Sequence, residues 1–93
     1  MTEYLTFETE PTDDPDVRLL ITNQTLTPGD DEIYADRDAG DTGSPLAQTL
    51  FHAVDGLHAL EISEDTLVVT RAEGVPWEML LDEIRDALRD FYL

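Results

Sequence analysis

Cysteine is absent from this sequence of 93 residues. Disulfide bonds are therefore excluded, as are zinc-finger sites and any metal cluster held by thiolates of this chain. This absence is the strongest chemical fact in the sequence, because it removes a whole class of metal chemistry from the residues that are present.

Basic residues are scarce. Lysine is absent, and the five basic residues are all arginine, against 22 acidic residues and a formal net charge of −17. Phosphate backbones and anionic membrane surfaces would be repelled, so we exclude nucleic acid and membranes as partners. Because the acidic residues are spread along the chain, we favour a solvated surface adapted to high intracellular salt. The alternative is a patch for a basic partner or a cation.

Long apolar runs are absent too. None approaches the roughly 18 to 20 residues that cross a bilayer, and Met1 to Glu3 lack the basic and apolar regions of a signal peptide. We therefore expect a cytoplasmic protein, and a monomer. The length and the hydrophobic fraction of 41% predict one modest core, so we expect residues 1–93 to form a single domain.

Hydrophobic patterning predicts five strands, which share β-branched or aromatic residues and are bounded by turn residues. They are expected at residues 4–8, 17–22, 32–35, 57–62 and 66–70. The third is expected at a sheet edge. The last two form a hairpin whose inward residues are Leu60, Ile62, Leu67 and Val69. The segment 36–43 is rich in aspartate and glycine, so we expect a flexible loop there.

Two helices are predicted from capping residues. Ser44 and Pro45 mark the start of the first, which ends at Gly56, because serine caps free amides and proline suits the first helical position. Pro76 and Trp77 open the second, whose apolar residues recur at helical spacing. The order β-β-β-α-β-β-α favours a two-layer α+β domain, with a mainly antiparallel sheet and both helices packed on one face.

Short signatures occur in a fixed order along the chain. They are Glu10-Pro11-Thr12-Asp13-Asp14-Pro15-Asp16, Gly43-Ser44-Pro45-Leu46-Ala47, Leu50-Phe51, Asp55-Gly56, Leu67 to Thr70 and Val75-Pro76-Trp77-Glu78. The ordered set resembles the N-terminal domain of NifU-like (Nfu) iron–sulfur cluster scaffold proteins, from about Phe7 to Phe91. One departure is acidic, since Asp14 and Asp16 stand where the family usually has asparagine.

The resemblance implies a role in iron–sulfur cluster assembly or delivery. In the family, a C-terminal scaffold domain holds the cluster through a Cys-x-x-Cys pair, which this sequence lacks. We therefore expect no cofactor in this chain, and an iron–sulfur cluster only indirectly, through a partner. The implied function is a non-enzymatic accessory domain that docks an iron–sulfur scaffold or a client apoprotein, in a stand-alone form from a halophile-like source.

Two acidic segments and one aromatic residue supply the candidate partner-binding residues, which are Pro11, Thr12, Asp13, Asp14, Pro15, Asp16, Asp36, Asp38, Asp41 and Trp77. We expect both segments to be exposed and mobile, and so available to a partner. A structural interpretation stays open beside this one. The proline turn could set the register of a hairpin, and Trp77 is the kind of aromatic residue that packs in a core.

No catalytic set is present in the sequence. Adjacent carboxylates such as Asp13 and Asp14 would need a shielded cleft, and Ser44 has no histidine at helical or strand spacing to activate it. We therefore expect no enzyme. His52 and His58, with the acidic loop, suggest one alternative, a small acidic protein that binds iron or another cation. A structural or regulatory interaction module is the other alternative.

Overall fold

One five-stranded sheet and three helices form the part of the chain that the computed structural model describes, residues 6–27 and 29–92. The strands are β1 (Phe7–Pro11), β2 (Val17–Thr22), β3 (Glu32–Tyr34), β4 (Leu57–Ser63) and β5 (Thr66–Arg71). The helices are α1 (Arg37–Asp41), α2 (Pro45–Ala53) and α3 (Trp77–Tyr92). All strand pairs are antiparallel, so the predicted α+β class and its antiparallel sheet are confirmed.

The strands lie in the order β1-β2-β5-β4-β3. β1 pairs with β2 and β4 with β5, and the contact of β2 with β5 joins these two hairpins. The short strand β3 pairs with β4 at one edge, where it was predicted. At the other edge, β1 starts at Phe7 rather than at residue 4, and residues 4–5 of the predicted strand lie outside the described residues. Pro11 ends β1 at the sheet edge, where proline is tolerated in strands.

The core lies between one face of the sheet and the helices. The hairpin residues predicted to point inward, Leu60, Ile62, Leu67 and Val69, are all buried. They form a single cluster with the apolar faces of α2 and α3, which contribute Leu46, Ala47, Leu50, Phe51, Leu80, Ile84, Ala87 and Leu88. The two-layer arrangement is therefore confirmed.

The predicted loop at residues 36–43 is wrong, because it contains helix α1. The carboxylate of Asp36 caps this helix by accepting the N–H of Ala39 at 2.8 Å. Gly40 then allows α1 to pack against α2, since a Cβ atom at this position would lie 2.1 Å from the ring of Phe51. These contacts are tertiary, so the sequence pattern alone did not reveal them. The described residues hold three helices instead of the two predicted.

Arg37 fastens α1 to the end of α2. Its guanidinium donates hydrogen bonds to the carbonyl oxygens of Phe51, Val54, Asp55 and Leu57, the last three at 3.1, 3.1 and 3.3 Å. Carbonyl groups at the C-terminal end of a helix lack helical partners and carry a partial negative charge. The cation therefore stabilises the end of α2 while it holds α1 in place, and we call this set of contacts the Arg37 clasp.

Glu32 links the edge strand β3 to the start of α2. Its carboxylate accepts a hydrogen bond from the Tyr34 hydroxyl, whose oxygen accepts the N–H of Ser44 at 3.1 Å. Burial raises the pKa of Glu32, but hydrogen bonds from the hydroxyl groups of Ser44, Tyr34 and Thr27 together lower it by more. The pKa of Glu32 therefore lies below its ordinary value of 4.5. Ser44 also caps α2 as predicted, through the N–H of Ala47 at 3.3 Å.

The opposite face of the sheet, which we call the open face, has none of the described helices packed against it. Its central strands present side chains that are half-buried by their neighbours. On β3, the side chain of Ile33 is 72% exposed. The open face is therefore a surface of the domain.

Candidate functional site at the proline turn

The predicted proline turn and Trp77 come together at one end of the sheet. They line a cavity of about 440 Å³, which we call the turn groove, whose wall residues are Pro11, Thr12, Asp13, Asp14, Pro15, Val17, Arg18, Arg71 and Trp77. The turn connects β1 to β2, and Trp77 is the first residue of α3. Six of the ten candidate residues thus belong to a single site, and Asp16 borders it through its contact with Arg71.

Hydrogen bonds within the turn fix its shape. The Thr12 hydroxyl lies 2.9 Å from the carbonyl oxygen of Val17 and accepts the N–H of Asp14 at 3.1 Å. The Asp14 carboxylate accepts the N–H of Asp16 at 2.9 Å, as in an Asx turn. The side chain of Asp13 has no hydrogen bond among the described residues and is exposed. The turn is therefore exposed, as predicted, but it is internally hydrogen-bonded.

Trp77 joins the turn to the third helix. Its indole Nε1–H donates a hydrogen bond to the carbonyl oxygen of Pro15 at 2.9 Å, and its ring packs against the edge of the core. The guanidinium carbons of Arg18 and Arg71 lie 5.1 and 5.3 Å from the ring centroid, within the range of cation–π attraction. Trp77 therefore has both a structural contact and a half-buried ring surface in the groove.

The two arginines are functional candidates that sequence reasoning missed. Arg71 is committed to the fold, since it pairs with Asp16 at 3.0 Å and donates to the carbonyl oxygen of Val75 at 3.2 Å. Arg18 makes no hydrogen bond or ion pair within the described residues, so its N–H groups are available in the groove. The sequence signal that could have identified these two arginines is the scarcity of basic residues, because two of only five line this groove.

The second acidic segment does not form one site. Asp36 and Asp38 line a cavity of about 350 Å³ that also includes His58, whereas Asp41 lines a different cavity beside His52. The two histidines therefore face separate cavities. Within residues 6–27 and 29–92, no group of three or more histidine, aspartate or glutamate side chains is placed to hold a metal ion. The arrangement does not favour the alternative of a cation-binding protein that uses these histidines and the acidic segment.

A family model described as "Scaffold protein Nfu/NifU N terminal" matches residues 7–93. The chain belongs to this family. The resemblance seen in the ordered signatures is therefore confirmed.

Two curated relatives of this Nfu/NifU N-terminal domain match over 50 residues. The chain is 38% identical to "NifU-like protein 4, mitochondrial" of Arabidopsis thaliana and 34% identical to "NFU1 iron-sulfur cluster scaffold homolog, mitochondrial" of Drosophila ananassae. The matched part is 54% of this chain but spans only 17% of each relative's length. The printed name of the Drosophila relative describes that protein as an iron–sulfur cluster scaffold homologue, of which this chain spans only a small part.

Solved structures with the same fold include a yeast protein and a bacterial protein. A solution NMR structure of a NifU-like protein from Saccharomyces cerevisiae matches with a TM-score of 0.73 at 22% identity, over 94% of this chain and 77% of that chain. A crystal structure of protein SAV1430 from Staphylococcus aureus matches with a TM-score of 0.69 at 12% identity, over 87% of this chain and 94% of that chain. At these identities the likeness shows the fold alone.

No helix in the described part of the chain is long and apolar enough to span a bilayer. Four expectations stay predictions: the monomeric state, the cytoplasmic location, the single-domain boundary and the partner-binding roles of the candidate residues.

Proposed function

We propose that this Nfu/NifU N-terminal domain is a non-enzymatic docking module in iron–sulfur cluster assembly or delivery. It binds a cluster-bearing scaffold protein or a client apoprotein and brings no cluster ligand of its own. In this proposal the cluster is cargo held by the partner.

The observation that carries this proposal is the family match over residues 7–93 in a chain without cysteine. Iron–sulfur clusters are held mainly by cysteine thiolates. A member of a scaffold family that has no thiolate contributes to cluster traffic through contact with other proteins. Docking is therefore the function that the residues present can perform.

The turn groove supplies the contact in this proposal. Trp77 offers a half-buried aromatic surface, Arg18 offers uncommitted N–H donors, and Asp13 offers an exposed carboxylate at the rim. Tryptophan and arginine are enriched among the residues that dominate binding at protein interfaces. Because hydrogen bonds already fix the turn, little conformational entropy is lost when a partner binds there.

The experiment is isothermal titration calorimetry of the purified domain against cluster-bearing scaffold proteins and client apoproteins from its own organism, in molar potassium chloride. We expect saturable binding to at least one of them. Arg18→Gln and Asp13→Asn should each weaken it by about fivefold to tenfold, the effect of losing one interfacial charge contact of about 1 kcal/mol.

Matched controls lie on the exposed side of α3, where Arg89→Gln and Asp90→Asn make the same chemical changes away from the groove. These two variants should bind like the parent protein. Absence of binding to every cluster protein would refute the docking function. Binding that is indifferent to both groove variants would leave docking in place and remove the turn groove from it.

We also propose that the acidic surface adapts the protein to a halophile-like, high-salt interior. The support is that the described residues hold only two ion pairs, Arg71 with Asp16 and Arg85 with Asp82, against a net charge of −17. Most carboxylates thus repel one another without a partner. At about 1 M salt the Debye length falls to about 3 Å, which screens this repulsion.

A further inference from the structure

The open face of the sheet carries an apolar stripe along its two central strands. The strand register places Leu20, Leu67 and Val69 toward the helices, so their neighbours along the strands point the other way. The side chains of the stripe are half-buried and apolar, and they are Val17, Leu19, Ile21 and Val68. Leu19 lies directly opposite Val68, so the stripe is continuous across β2 and β5.

Carboxylates border this stripe on both sides. On β1, Glu8 lies opposite Ile21 and Glu10 lies opposite Leu19, and both glutamates are exposed. On β4, Glu61 lies opposite Val68. The strand positions that face this side of the sheet include no arginine in the described residues. The apolar stripe is therefore flanked by glutamates on β1 and by Glu61 on β4, and Ile33 of β3 lies beyond Glu61 on the same face.

The dimensions of this surface suit an α-helix. The borders on β1 and β4 are three strand spacings apart, about 14 Å, and a helix with its side chains is about 10–12 Å across. Val17 and Ile21 are four residues apart on β2, which is also about 14 Å, or between two and three helical turns. A helix lying along β2 and β5 would cover the stripe and place its flanking side chains over the glutamates.

We propose that the open face binds an amphipathic helix of a partner protein, with an apolar stripe flanked on both sides by lysine or arginine. Charge complementarity identifies the partner, because every charged group at the border is a carboxylate. A second copy of this chain is unsuitable, since α3 carries five acidic residues and only two arginines. The stripe meets the turn groove only at Val17, which also lines that groove. The proposal goes beyond the docking function assigned to the groove.

The test uses synthetic helical peptides of about 18 residues, or five turns. One has leucine at helical spacing with lysine on both flanks, a second has glutamate in place of every lysine, and a third scrambles the lysine peptide. Binding is measured by fluorescence anisotropy, and amide chemical shifts locate it. We expect only the ordered lysine peptide to bind, with shifts centred on Leu19 and Val68. Its affinity should fall as potassium chloride rises from about 0.1 M to about 1 M.

Variants of the open face sharpen the test. Glu10→Lys and, independently, Glu8→Lys should weaken binding of the lysine peptide by about fivefold, since each replaces an exposed attraction with a repulsion. Val68→Thr keeps the shape and the strand preference and should weaken it by about threefold to tenfold. Asp86→Lys on α3 makes the same charge change on the helical side of the molecule and should bind like the parent protein.

Several outcomes would overturn the proposal. Equal binding of the glutamate or scrambled peptide would remove the charge argument, and shifts confined to the turn groove or to α3 would place the site elsewhere. Glu8→Lys and Glu10→Lys variants that fold and bind the lysine peptide like the parent would also remove the charge argument. None of these results bears on docking of cluster proteins at the turn groove, which the calorimetry tests separately.

Discussion

Replacing Arg37 by methionine should destabilise the domain strongly, although Arg37 lies in a segment whose composition predicts a loop. Methionine keeps the length of the aliphatic stem but removes the charge and every N–H donor. The carbonyl oxygens of Phe51, Val54, Asp55 and Leu57 would then lose their shared cation. Helix α1 would lose its connection to the end of α2.

The magnitude follows from these contacts. A hydrogen bond from a charged donor contributes about 1.5–3 kcal/mol, and the contributions within one network are not additive. Water can replace some donors, because Asp55 is exposed and Arg37 is only half-buried. We therefore expect the free energy of unfolding to fall by about 2–4 kcal/mol in all. For a domain of this size that lowers the Tm by roughly 10–25 °C.

The measurement is urea unfolding followed by circular dichroism, with hydrogen exchange of the Gly40 amide as a local readout. That amide donates to the carbonyl oxygen of Asp36 at 3.2 Å, so its protection reports on α1 itself. Arg37→Lys should recover less than half of the loss, because one ammonium cannot serve four separated acceptors.

The control is Arg89→Met, which removes an exposed arginine that makes no hydrogen bond or ion pair within the described residues. Its effect should stay within about 0.5 kcal/mol. The reasoning is refuted if Arg37→Met costs no more than Arg89→Met, or if the Gly40 amide keeps its protection in the Arg37→Met variant. Either result would mean that α1 is held by contacts other than the clasp.

Three further predictions concern stability. Gly40→Ala should lower the free energy of unfolding by about 1–3 kcal/mol, because the added Cβ would meet the buried ring of Phe51. In the control Gly29→Ala, the added Cβ meets no atom within 4 Å, so its effect on thermal unfolding should be nearly neutral. Similar costs for the two variants would contradict the packing of α1. The Tm should rise by on the order of 10 °C between dilute buffer and molar potassium chloride, but not in sucrose of equal osmolality, and a flat salt response would argue against the high-salt interpretation. Glu32 has a lowered pKa, so its contribution to stability is present above its ordinary pKa of 4.5 and is lost as the pH falls through the folded value. Below about pH 4.5, the free energy of unfolding should therefore fall less steeply with pH in Glu32→Gln than in the parent. The exposed control Glu10→Gln should follow the parent curve. Identical curves for all three proteins would exclude the Glu32 network as an acid-labile element.

Local signals account for the elements that the sequence predicted well. β2 occupies residues 17–22 as expected, and both strands of the β4–β5 hairpin were placed to within one residue at their ends. Ser44 and Pro45 identified the start of α2, since a cap and a first-turn proline depend only on adjacent residues. The period of each pattern and the turn residues were sufficient for these elements.

Long-range contacts account for what the sequence could not reveal. Helix α1 depends on a glycine packed against Phe51 and on carbonyl groups 14 to 20 residues away from Arg37. The turn groove depends on a hydrogen bond between Trp77 and Pro15, 62 residues apart. Arg18 and Arg71 meet at Trp77 only because β2 pairs with β5, and that strand order follows from no local pattern.

The two outer strands have a consequence for how the protein behaves at high concentration. An unpaired strand edge is a template on which further chains can add, which leads to aggregation. Here one margin is a strand of three residues, and the other carries exposed glutamates and finishes in a proline. Among the described residues, neither margin offers a long, neutral row of backbone groups to an incoming chain. The outer strands thus protect the sheet against edge-to-edge polymerisation, while the open face remains accessible.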